Sequence, residues 1–154
     1  MKKILTICNA IIAALLSLLG CTINHDNPVE YGTPSADFII NGKVSSNTGQ
    51  PVPRIAVVMR EYVGTDNDGR PLFYKVDSTG TNDNGDYQVK SEGTFPEDKT
   101  YRLAFSDIDG VTNGAFKDTT VTVEFIDPVF TGRDKHWYAG ETGKEVNIQL
   151  RPEE

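Results

Sequence analysis

Leu72-Phe73-Tyr74-Lys75-Val76-Asp77-Ser78-Thr79-Gly80-Thr81-Asn82-Asp83-Asn84-Gly85-Asp86-Tyr87-Gln88-Val89 is the stretch from which the fold class is read. Leu72, Tyr74 and Val76 share one parity, and Tyr87 and Val89 share another. This period of two belongs to strands with one face turned toward a core. Between them, Asp83-Asn84-Gly85 predicts a tight hairpin, because asparagine and glycine accept the positive φ that joins two twisted strands.

Outward from this stretch the same alternation recurs. Toward the N-terminus, Phe38, Ile40 and Val44 oppose Asp37, Asn41 and Lys43, and Ile55, Val57 and Met59 form a second set. Turn-forming residues separate the two over Ser45 to Gln50, and Pro51 and Pro53 delay the return. Toward the C-terminus come Tyr101, Leu103 and Phe105, then Val121, Val123 and Phe125, then Val146, Ile148 and Leu150. Nowhere after residue 21 do apolar residues recur at helical spacing for three turns. The expectation is an all-β protein, a seven-stranded antiparallel β-sandwich over residues 36–152.

The N-terminus follows a different plan. Met1-Lys2-Lys3 is a short basic head, Ile4 to Leu19 an apolar middle, and Leu18-Leu19-Gly20-Cys21 ends it on a small residue and a cysteine. This is the layout of an export signal and is short for a bilayer span. The tetrad resembles the lipobox of bacterial lipoproteins, which implies a signal peptide over 1–20 and lipidation of Cys21. Residues 21–35 then read as the lipidated cysteine and an extended spacer, with prolines at 28 and 34. Fourteen extended residues reach about 45 Å. Thr22 directly after the cysteine, in place of aspartate, is similar to lipoproteins sorted to an outer membrane.

Loss of residues 1–20 removes two of the 15 basic residues and none of the 22 acidic ones, leaving a formal charge of −9. Read along the chain, no positive stripe appears, which argues against nucleic acid as a partner. Membrane attachment would therefore rest on acyl chains at Cys21. Cys8 leaves with the signal, so the exported chain has no disulfide and stability must come from its core.

Two stretches carry a family likeness. Gly42-Lys43-Val44 with Gly49-Gln50-Pro51-Val52-Pro53-Arg54-Ile55-Ala56-Val57, and Thr81-Asn82-Asp83-Asn84-Gly85-Asp86-Tyr87, resemble carboxypeptidase-regulatory-like domains, which are transthyretin-like sandwiches. Asn82 stands where that pattern usually has aspartate. Adding Glu30 to Phe38 and Asp107 to Phe116, the chain is similar to the bacterial radical-SAM-associated lipoproteins. That resemblance implies a fold, a compartment and a radical-SAM enzyme as partner, and no reaction.

Candidate sites are few. Asp107, Asp109, Asn113 and Asp118 place hard oxygen donors in one loop, as Ca2+ prefers, although the spacing is not that of an EF-hand. Such residues equally serve turns by bonding their own backbone. Asp66-x-Asp68-Gly69 is a weaker version of the same set. No other cofactor signature is present. His136-Trp137-Tyr138, in a loop between Gly132 and Gly140, could stack on a sugar ring or peptide, or Trp137 could fold down to plug an end of the sandwich. His25 lies in the spacer, so catalysis by an imidazole would rest on His136 alone. A Lys43–Asn147 isopeptide crosslink is disfavoured, since parity turns both side chains to water. Three functional expectations follow. The first is a lipid-tethered, non-enzymatic sandwich for binding or assembly, with a protein or glycan as ligand. The second is a carbohydrate-binding accessory using Trp137 and Tyr138, and the third an enzyme built around His136.

Overall fold

A computed structural model describes residues 32–134 and 136–153 of the chain. The expected signal peptide, Cys21 and the spacer up to residue 31 lie outside the described residues. Eight strands follow in order: β1 Ser35–Ser46, β2 Ile55–Thr65, β3 Pro71–Gly80, β4 Asp86–Thr94, β5 Lys99–Asp107, β6 Thr119–Phe125, β7 Tyr138–Glu145 and β8 Ile148–Leu150. One short 3-10 turn, Gly110–Asn113, lies between β5 and β6. Among the described residues no helix is long and apolar enough to cross a membrane.

The strands form two sheets. One runs β4–β1–β7, with β8 also on β1; the other runs β3–β2–β5–β6. Their inner faces hold the apolar residues that alternation marks: Phe38, Ile40 and Val44, then Ile55, Val57 and Met59, then Tyr101, Leu103 and Phe105, with Tyr87, Val89, Val123, Phe125, Ile148 and Leu150. Aromatic edges knit this core. Phe38 stands edge-on to Phe125 at 5.1 Å and to Phe130 at 5.5 Å. Such pairs add roughly 1 kcal/mol beyond the area they bury.

Three expectations are corrected. The Asp83–Gly85 turn forms, but β3 and β4 are not a hairpin: β3 pairs with β2, and β4 pairs with β1 in the other sheet. The side-chain oxygen of Asn82 accepts the N–H groups of Asn84 and Asp86, and Gly85 takes φ +76°. Here an amide oxygen does what a carboxylate would. Buried Thr81 sets the crossover, accepting the Ile55 N–H and donating to the Val52 carbonyl. Turn chemistry encodes a reversal of direction, and tertiary bonds choose the strand that receives it.

The second correction concerns the parallel edge. β7 and then β8 run parallel to β1, from Ser35 opposite Tyr138 to Ser46 opposite Leu150. Among the described residues the two sheets are therefore not wholly antiparallel and hold eight strands. Tyr138-Ala-Gly-Glu-Thr-Gly-Lys-Glu has no apolar alternation, so its strand is held by backbone pairing with β1, by the Tyr138 phenol on Asp37 and by Ala139 against the core.

The third concerns β3. Leu72, Tyr74 and Val76 do share a face, but it is exposed, Tyr74 by 67%. The true hairpin is β2–β3, closed by Asp66, whose carboxylate accepts the Asp68 and Arg70 N–H groups.

Candidate functional site

Where β1 begins, β7 begins beside it. The Ser35 N–H donates to the Trp137 carbonyl at 2.9 Å, and Ser35 and Tyr138 are paired. Trp137 rests its indole against Gly32, so closely that a Cβ there would overlap the ring. Its exposure is 39%, so it neither plugs the sandwich nor stands clear of it. Around it, Pro34, Phe130, Arg133, His136, Tyr138 and Ala139 complete a cleft of about 450 Å³. The structure thus brings His136, Trp137 and Tyr138 to one concavity. It also adds Arg133 and Phe130, which sequence reading missed because only the fold of the 126–137 loop brings them there. Tyr138 opens a strand rather than sitting in a loop.

Tyr138 faces a second group of residues. Its phenol donates to Asp37 at 2.8 Å, the Gly93 N–H donates to the same carboxylate at 2.9 Å, and the Lys90 ammonium lies 3.1 Å away. Beside Asp37 the register shifts against both neighbours, with the extra residue in β4 on one side and in β7 on the other, and bulges re-aim the side chains of the strand that carries them. Burial pushes the Asp37 carboxyl up, but Gly93, Tyr138 and Lys90 outweigh it and hold it below the usual carboxylate range. The bonds to Asp37 and Glu92 raise the Lys90 ammonium. Burial and then Asp37 raise the Tyr138 phenol. Each group is driven toward the charge state it already has, which suits a brace and not a proton shuttle. This brace fixes the wall of the cleft.

His136 donates its backbone N–H to Asp134. The acidic loop is organised for itself: Asp107 accepts the Asp109, Gly110 and Phe116 N–H groups, and Asp109 accepts from the Asn113 amide. Asp118 lines a separate groove with Lys117 and Arg151. Among the described residues no group of three or more His, Cys, Asp or Glu side chains is disposed to hold a metal ion. A larger polar groove of about 650 Å³ runs beside Lys43, Asn82, Asp86 and Asn147. Its groups bond each other: Lys43 pairs with Asp86 at 3.3 Å, and Asn147 accepts the Lys43 backbone N–H.

No protein-family model matches the chain, and no curated protein does. Solved structures with a similar fold include 3-chlorocatechol 1,2-dioxygenase from Rhodococcus opacus 1CP. It is 12% identical with a TM-score of 0.47, and the match covers 82% of this chain and 62% of that one. Hydroxyquinol 1,2-dioxygenase from Pseudomonas putida DLL-E4 is 7% identical with a TM-score of 0.48, covering 93% and 71%. The expectation of a non-enzymatic binding or assembly module is corrected by these matches. Those solved structures are enzymes by name. At such identity the likeness concerns fold alone, and no dioxygenase activity passes to this chain. The described residues, with His136 the one described histidine, also present no metal-ligand set that would fit a resident ion.

Proposed function

We propose that the chain is a lipid-tethered envelope protein whose sandwich holds a small, ring-bearing anionic ligand in the cleft beside Trp137. The observation that carries this reading is the convergence of a half-exposed indole, apolar walls and the Arg133 guanidinium in one concavity. An indole gives a ring a flat apolar platform. A guanidinium takes a carboxylate or phosphate through two parallel N–H groups. Because Tyr138 is braced by Asp37 and the Trp137 carbonyl by Ser35, little side-chain entropy is lost on binding. A uronate sugar or an aromatic carboxylate has the required shape and charge.

The lipobox-like tetrad supports attachment through Cys21 at the outer membrane, with the spacer lifting the domain from the headgroups. The family stretches support a transthyretin-like sandwich and, by the same resemblance, a radical-SAM partner.

Trp137 is the sole tryptophan, so its emission reports the cleft directly. Titrating the full-length protein in neutral detergent with glucuronate and with benzoate should give a saturable emission change for one of them, about tenfold weaker in Arg133→Gln. Flat emission with both to millimolar levels sinks the ligand reading. For the tether, globomycin, which blocks lipoprotein signal cleavage, should cause a heavier precursor to accumulate. Unchanged mobility, or Cys21→Ser protein that stays with membranes, counts against it.

A further inference from the structure

On the outer face of the β3–β2–β5–β6 sheet, Arg60 lies directly opposite Lys75 on one side and Arg102 on the other. Cross-strand partners project from the same face. At a strand spacing of about 4.8 Å, their backbone positions form a row roughly 10 Å long. A bulge makes the row: Met59 pairs with Asp77 but Arg60 pairs with Lys75, so Val76 is the extra residue. The shift sends Asp77 inward, where it accepts the Lys90 N–H, and brings Lys75 beside Arg60.

Among the described residues none of these cations makes an ion pair, and neither do Arg54, Lys117, Arg133, Lys144 and Arg151, but only these three lie side by side across neighbouring strands. Like charges directly opposite cost stability, and a chain with 22 acidic residues does not lack partners for them. Glu124, on the same face of β6, is set against Thr100, and its carbonyl accepts from the Lys144 ammonium. Arg102 also lies 3.8 Å from the Phe73 ring, and Phe73 packs on half-exposed Tyr62. Stacking fixes the guanidinium plane, as recognition of a planar or tetrahedral oxyanion requires.

We propose that this face binds a compact multivalent anion carrying phosphate or carboxylate groups, across Lys75, Arg60 and Arg102. The shared chemistry admits the headgroup of a phosphorylated glycolipid or a soluble phosphorylated sugar. The overall negative charge and the shortness of the row exclude an extended polyanion such as nucleic acid.

The probe is tripolyphosphate, titrated by calorimetry into the full-length protein in neutral detergent. Binding is expected to weaken steeply with salt and to fall about tenfold in Lys75→Gln and in Arg60→Gln. Both variants keep Arg102 on Phe73, and each should melt about 2 °C higher than the parent because a repulsion is gone. Arg133→Gln should bind tripolyphosphate unchanged, separating this face from the cleft. Vesicles carrying a diphosphorylated glycolipid identify the source: capture competed by tripolyphosphate assigns the headgroup, and tripolyphosphate binding without capture assigns the soluble anion. The proposal is overturned if tripolyphosphate does not bind, if both variants bind as the parent does, if they melt lower, if a short oligonucleotide binds more tightly, or if the face instead drives salt-dependent self-association.

Discussion

The outer faces of the two sheets treat charge in opposite ways. On the β1 sheet, Lys43 meets Asp86 and Lys90 meets both Asp37 and Glu92. On the β2 sheet, Lys75, Arg60 and Arg102 stand side by side without a carboxylate. Exposed pairs contribute little individually. The contrast matters because the first arrangement favours the folded state and the second opposes it. A face that costs stability without serving the core is more readily understood as a contact surface. Both faces owe their arrangement to bulges, in β4 and β7 beside Asp37 and at Val76 in β3. Those beside Asp37 lie in the strands that supply its donors Gly93 and Tyr138, and the one at Val76 turns a lysine toward arginines.

The largest expected effect comes from breaking the paired side. Asp37→Ala leaves the Gly93 N–H and the Tyr138 phenol without their acceptor and the Lys90 ammonium with Glu92 alone, and urea denaturation should show a loss of about 2 kcal/mol. The pH dependence has a fixed sign. Because the folded-state carboxyl is held below its unfolded value, its stabilising contribution is complete above about pH 4 and is lost as pH falls through the lowered value. Asp37→Asn should therefore flatten the acid limb of the stability profile. An unchanged acid limb would remove Asp37 from the brace.

The period of two made most of the core legible, from Phe38 and Ile40 to Ile148 and Leu150, because half-buried strands write their burial into parity. It did not reveal β7, where Gly140 and Gly143 interrupt a polar run, nor the partner of β4, since Asn84-Gly85 encodes a turn and not a destination. His136, Trp137 and Tyr138 were visible as an aromatic cluster. Arg133 and Phe130 joined them only through the fold. The row of cations was invisible for a sharper reason. Residues 60, 75 and 102 are far apart in the chain, and one bulged residue determines whether Arg60 faces Lys75 or Val76.

The smallest expected effect is the one that tests the comparison most directly. Lys75→Glu places a carboxylate against Arg60, converting a repulsive pair into an attractive one at an exposed position. The gain should be about 0.5 kcal/mol, read as a higher urea midpoint with an unchanged slope. The matching reversal on the other sheet, Lys90→Glu, sets three carboxylates together at Asp37, Glu92 and the new residue, and should lower the midpoint. Raising salt to 1 M should shrink the Lys75→Glu gain, since that position is exposed, and spare more of the Lys90→Glu loss beside half-buried Asp37. If both reversals move the midpoint the same way, the two faces do not differ in their treatment of charge, and the row on β3, β2 and β5 is solvated surface with no anion to meet.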